Sequence, residues 1–261
     1  MKTQTGFLKG TFFLVLGLLF AQTGSSAELA TILGRPNTAL DFAQNLIKES
    51  ESISSEPFEA QASTQMYSIL ARNGIEATAN LEAIAAEGTM QLDTLHTAFL
   101  KAATKAPVVF TIIGPLLDEA CQWLEAMKDV VYVFPAGKSG SLITPEEAPH
   151  CMAPNILRVA ALNGTGTQAS LASFSNFGLA VKLAAPGTKL PVIGANGKRS
   201  LMSSTSAAAA IVAAHLGVYA RNHPELRGGV LVEKFLTERS AHSNLLDGKI
   251  EGGRALIEGS I

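Results

Sequence analysis

Few residues in this sequence carry chemistry by type, and their spacing limits what they can do. The histidines are His96, His150, His215, His223 and His242. An imidazole works as a base or a metal ligand only when a partner orients it. No HExxH or CxxC pattern joins these residues, so zinc has no donor set here. His96 lies inside a helical pattern, His150 sits in a loop beside Cys151, and His223-Pro224 forms a turn. Each histidine is therefore read as structural or exposed. Gly194-Ala195-Asn196-Gly197-Lys198 is a Gly-Asn turn between strands, not a phosphate-binding GxxxxGK[ST] loop. Gly164-Thr165-Gly166 is likewise a turn. No cofactor and no metal are expected.

The composition narrows the class. Of 261 residues 16% are charged and 47% hydrophobic, which excludes a disordered chain that buries no core. A net charge of -2 gives no basic footprint for nucleic acid. Aromatics are only 6%, so small aliphatic residues must fill the interior. The first stretch reads as an address. Lys2 and Lys9 precede the apolar run from Thr11 to Phe20, and Ser25-Ser26-Ala27 offers a small-x-small cleavage site. That run is shorter than the ~20 residues a spanning helix needs. The expectation is a signal peptide over residues 1–27 and one domain over 28–261. The chain is then exported, periplasmic or extracellular, with no stable membrane span after cleavage. Export permits a Cys121–Cys151 disulfide, and two reduced buried thiols fit the sequence equally well.

The elements that must position any site alternate between strands and helices. Leu29 to Leu33, Val108 to Ile113, Val130 to Phe134 and Ile156 to Ala161 are dominated by apolar residues and read as buried strands. Ala79 to Ala85 is a weaker strand. Helices are expected over Ala60 to Arg72, stopped by Asn73-Gly74, over Met90 to Thr104, over Leu116 to Met127, and over the Ala-rich stretch Ser206 to Arg221. Thr38 to about Ser54 reads as helical and then polar. Apolar strands separated by helices imply an α/β fold. Its core is a doubly wound parallel sheet with helices on both faces.

Several longer motifs follow one another in the second half. Asn155 to Gly187 contains RVAA, ASFSNFG and VKLAAPG, and Ser203-Ser204-Thr205-Ser206-Ala207-Ala208-Ala209-Ala210 comes next. Upstream stand VVFTIIG (Val108 to Gly114), VVYVFPAG (Val130 to Gly137) and NGIEATANLEAIA (Asn73 to Ala85). Gly252-Gly253-Arg254-Ala255-Leu256 closes the set. In order and spacing these stretches resemble the subtilisin-like serine proteases, over roughly Leu29 to Leu256. The resemblance implies the subtilisin-like version of the fold.

It also implies where a protease of this kind keeps its chemistry: a Ser nucleophile activated by a His, an Asp that orients the His, and an Asn that helps bind the oxyanion. Ser206 matches the nucleophile. Leu33 stands at the Asp position, Ala62 at the His position and Lys138 at the Asn position. His215 lies nine residues past Ser206 on one helix, about 13 Å along its axis, beyond hydrogen-bond reach. Asp41 sits inside a helical pattern instead of at a strand end. Ala210 replaces the family's Pro in the nucleophile helix, Ser204 replaces a Gly, and little room is left before the first strand for an inhibitory propeptide. The expectation is an exported, catalytically impaired pseudoprotease that acts by binding. The alternative is an active serine endopeptidase in which an unconventional base, Lys138, serves Ser206. The expected partner is an extended peptide or protein loop. It would be held in a retained cleft beside Ile113-Gly114 and Ser206; the opposed reading has Pro115 and Leu116 filling that cleft.

Overall fold

The computed structural model describes residues 28–33, 36–52, 60–82, 92–113 and 118–257. The expected signal peptide, Gly34, Gly114, Pro115 and Leu116 lie outside the described residues. The elements run β1 (Leu29–Leu33), α1 (Asp41–Leu46), β2 (Ile47–Ser52), α2 (Ala60–Arg72), β3 (Thr78–Glu82), α3 (Leu92–Ala103), β4 (Val108–Thr111), α4 (Asp118–Ala126), β5 (Val131–Pro135) and β6 (Ile156–Asn163). They continue with β7 (Ser170–Leu171), β8 (Leu183–Pro186), β9 (Leu190–Ile193), β10 (Arg199–Met202), α5 (Thr205–Asn222), α6 (Gly228–Arg239), β11 (Ser240–His242) and β12 (Arg254–Leu256).

Among the described residues one sheet runs β11-β12-β8-β6-β5-β4-β1-β3-β2, with β7 paired to β6. Its central pairs are parallel, and only the β7 and β11 pairings are antiparallel. Strand β1 is flanked by β3 on one side and β4 on the other. The chain therefore reverses its winding direction at β1, and the strand ends at such a reversal are the usual place for a crevice and a site in sheets of this kind. Helices α2, α5 and α6 share a core with one face of the sheet. Helices α3 and α4 cover the other face. The expected fold, a doubly wound parallel sheet covered on both faces, is the one observed.

The Ala-rich helix is the axis of the molecule. Fourteen of the 18 residues of α5 are buried, as expected of a helix apolar on every side. Methyl side chains let its backbone lie close to β4, β5, β6 and β8. Gly217 brings α5 close to the turn after α2 as well, since a Cβ there would lie 2.9 Å from Ile75 Cδ1.

Two readings of the sequence need correction or completion. Thr38 to Ser54 is not mainly helical: after the short α1, IKESES forms the edge strand β2, paired with β3 only. An edge strand exposes one rim to water, so its polar residues hide the strand pattern. Glu51 reaches from it to Lys101 of α3, and Glu49 to Lys105, just past the end of that helix. The cysteines, left open by the sequence, are joined: Cys121 of α4 and Cys151, in a tight turn over Pro149–Met152, form a disulfide with Cα atoms 4.9 Å apart.

The tight seat of α5 makes a direct prediction. Ala209 is completely buried. Ala209→Leu should lower unfolding stability by about 1–3 kcal/mol through overpacking, read as a fall in the urea midpoint. Leu201→Ala, at an exposed position, should change stability by less than about 0.5 kcal/mol.

Candidate functional site

The crevice beside β1 is built from strand ends and helix starts. Leu33 ends β1, and Lys138 follows β5 by three residues. Ala62 lies in the first turn of α2 and Ser206 in the first turn of α5. The two helices pack against each other on the same face of the sheet. The structure thus gathers the four matched positions at one end of the sheet.

Local sequence explains the pose of Ser206. Ser204 is the N-cap of α5, and its Oγ accepts from the Ser206 N–H at 3.0 Å. This satisfies one of the donors that a helix start leaves free. The strand that delivers the chain here is fixed too, because the Ser204 N–H donates to the Gly187 carbonyl at 2.8 Å. Gly187 tolerates no side chain: a Cβ would stand 2.4 Å from that of Ala161 and 3.1 Å from the Ser204 carbonyl oxygen. Ser206 itself is half-buried, and among the described residues its hydroxyl has no hydrogen-bond partner.

Among the described residues no titratable side chain is hydrogen-bonded to Ser206. Leu33 is fully buried in the core that also holds α5. Ala62 is half-buried and carries no polar group. Each histidine is engaged elsewhere. His96 stacks on Trp123 with ring centroids 4.3 Å apart, and His150 pairs with Glu125 at 2.6 Å. His223 tilts on Tyr219 at 4.3 Å, and His242 meets Asp247 at 2.7 Å. His215 stands nine residues further along α5, where burial and then the Arg239 charge lower its pKa. Asp41 opens α1 and is exposed.

Lys138 sits on a built loop. Gly137 takes φ 101°, a conformation glycine adopts without strain. The Asn176 Oδ1 then accepts from the Ser139 N–H at 2.9 Å and the Ser141 N–H at 3.1 Å, while the Asn176 N–H donates to the Gly137 carbonyl at 2.9 Å. The loop is held, yet the Lys138 side chain is exposed.

One feature of the site was missed in the sequence. Beneath the crevice the Thr31 hydroxyl donates to Asn80 Oδ1 at 3.0 Å and lies 2.5 Å from the Tyr67 hydroxyl. Thr31, Tyr67 and Asn80 are all buried. This neutral network ties β1, α2 and β3 together just below Leu33 and Ala62. Its signal was a lone Thr in the run LATIL and a lone Asn in TANLE.

The subtilase family model matches residues 111–248 of the chain. No curated protein sequence matches it. Among solved structures, the A-subunit of the AB5 toxin from E. coli superposes with a TM-score of 0.69 at 18% identity, covering 88% of this chain and 91% of that one. A cold-adapted subtilisin-like serine proteinase gives 0.67 at 19%, over 91% of this chain and 92% of its own. A lanthipeptide protease gives 0.70 at 15%, over 87% of this chain and 84% of that one.

The buried network yields a test. Tyr67→Phe removes one partner of Thr31 and should cost about 0.5–1.5 kcal/mol of stability, measured by urea unfolding. A variant as stable as the wild type would mean that the network does not tie α2 to the sheet.

Proposed function

Because the chain belongs to the subtilase family, we propose that it is an exported, catalytically impaired member that acts by binding an extended peptide or a protein loop. The observation that carries this reading is a Ser206 hydroxyl without a hydrogen-bond partner among the described residues, in a chain with Leu33 and Ala62 at the positions matched to the acid and the base. Serine becomes a nucleophile when a base accepts its proton and a third group orients that base. Lys138 in place of an amide removes the neutral donor that would steady an oxyanion. Exposure of Lys138 also speaks against a Ser-Lys couple. Export is supported by the apolar run from Thr11 to Phe20 and by the Cys121–Cys151 disulfide, a bond that persists in oxidising compartments.

Binding can outlast catalysis because it uses different groups. An added strand is held by main-chain donors and acceptors, which the changes at positions 33, 62 and 138 leave untouched. Ile112 and Ile113, half-buried, follow the end of β4; the Ile113 N–H donates to Thr111 Oγ1 at 3.2 Å and would exchange that partner for an added strand. Lys138 adds a positive charge there and selects an acidic residue or a terminal carboxylate.

Purified mature protein should cleave casein and standard subtilase peptides no faster than its Ser206→Ala variant. Serine-dependent turnover would overturn the impaired reading. In a peptide-library binding assay, acidic peptides should be retained by the wild type and weakened about tenfold by Lys138→Ala, the loss of one charge-assisted contact. Binding indifferent to Lys138, or no saturable binder, would remove the groove from the account.

A further inference from the structure

At the end of the sheet where the parallel strands begin, Lys182 stands just before β8 and lines a cleft of about 800 Å³. Lysines are seldom this deep: Lys182 is 9% exposed. Its Nζ donates to the Ala153 carbonyl at 2.6 Å and to the Met152 carbonyl at 3.1 Å. Both carbonyls stand at the end of the 149–152 turn, which the Cys121–Cys151 disulfide holds against α4. Two acceptors match a neutral amine, which has two N–H groups and one lone pair, where an ammonium has three donors. With both N–H groups spent on carbonyls, the lone pair takes the remaining direction at Nζ.

The charges around Lys182 favour the same form. Apart from Lys182, the cleft lining carries four carboxylates, on Glu125, Asp129, Glu233 and Glu251, and three cations, on Lys128, Arg227 and Arg254. Arg158 adds a fourth cation from the adjacent strand β6, where its carbonyl accepts from the Lys182 N–H at 3.2 Å. The formal charges balance when Lys182 is neutral. Arg158 is 1% exposed, and its Nε, Nη1 and Nη2 have no hydrogen-bond partner. Its guanidinium lies 5.4 Å from the centroid of the Phe134 ring. Burial lowers the Lys182 pKa to about 8, with Glu251 opposing the shift and Arg158 adding to it. The amine form is therefore present near neutral pH and grows as the pH rises.

A desolvated lysine amine is a nucleophile. Its depth admits a small uncharged molecule, and the Arg158 charge favours a product that is an anion. Carbon dioxide meets both conditions. We propose that Lys182 is a covalent modification site, at which the amine takes up carbon dioxide as a carbamate whose negative charge is stabilised by Arg158. One ammonium proton first leaves to solvent. The nitrogen lone pair then forms the N–C bond as one C=O electron pair moves onto oxygen, and a second proton leaves to solvent. The nitrogen keeps one N–H for the Ala153 carbonyl, and the longer bond to Met152 is given up. The site lies at the opposite end of the sheet from Ser206 and does not depend on the peptide-binding reading.

The test equilibrates the full mature protein with isotope-labelled bicarbonate at pH values on both sides of about 8. Carbamates are trapped as esters with a trialkyloxonium reagent and mapped by mass spectrometry. Label on Lys182 should rise with pH through the titration of the amine. It should exceed that on the exposed Lys198 at least about tenfold, because an ordinary lysine stays protonated there. Arg158→Met should cut the Lys182 label about tenfold, while Ser206→Ala leaves it unchanged. No label on Lys182, label no greater than on Lys198, or label indifferent to Arg158→Met would overturn the proposal. Arg158→Met removes a buried charge without a partner, so the fold should tolerate it. Should it fail to fold, the ratio of Lys182 to Lys198 label in the wild type decides alone.

Discussion

The structure depends on one close contact, that between the backbone of α5 and the sheet it lies across. Alanines 207–210, 213 and 214 are buried without exposed surface, so neither helix nor sheet has room to shift. This contact fixes the start of α5 at the point where the winding of the sheet reverses. Ser204 then caps the helix, and Ser206 is presented there. Packing of this kind needs small apolar residues and no ionised group. The architecture can therefore persist while the chemistry at its edge changes.

On the proposed reading, Leu33 and Ala62 stand at the positions matched to the acid and the base, and Lys138 at the position matched to the amide. A buried acid and its imidazole partner carry a desolvation cost that their mutual hydrogen bond must offset. Leu33 removes that cost by joining the core. The Thr31–Tyr67–Asn80 network supplies neutral hydrogen bonds between the same elements. In this account the crevice has exchanged an activated nucleophile for a well-packed floor. Its rim, with Lys138 on a loop braced by Asn176, remains exposed.

Much of the frame was legible because burial on both faces leaves long apolar runs. Helix α2 was read to its last residue, since Gly74, at φ 82°, ends it by a conformation glycine favours. Strand β2 was not, because an edge strand such as IKESES shows water most of its side chains. Helix α6 gave little amphipathic pattern, as its glycine start and scattered apolar residues pack at the sheet's end. The site positions were legible only through aligned motifs. Composition alone marks Leu33 and Ala62 as ordinary core residues. The disulfide and the Thr31 network arise between residues tens of positions apart. Only the packing of α4 on the 149–152 turn, and of β1 against β3 and α2, brings them together.

The central claim is that Ser206 has no base, and its reactivity tests that most directly. Purified mature protein is treated with a fluorophosphonate across pH 6 to 9, and adduct at Ser206 is followed by mass spectrometry. The account predicts no more labelling than in Ser206→Ala at any pH. Stoichiometric adduct at Ser206, with a rate that rises through a single titration, would contradict it.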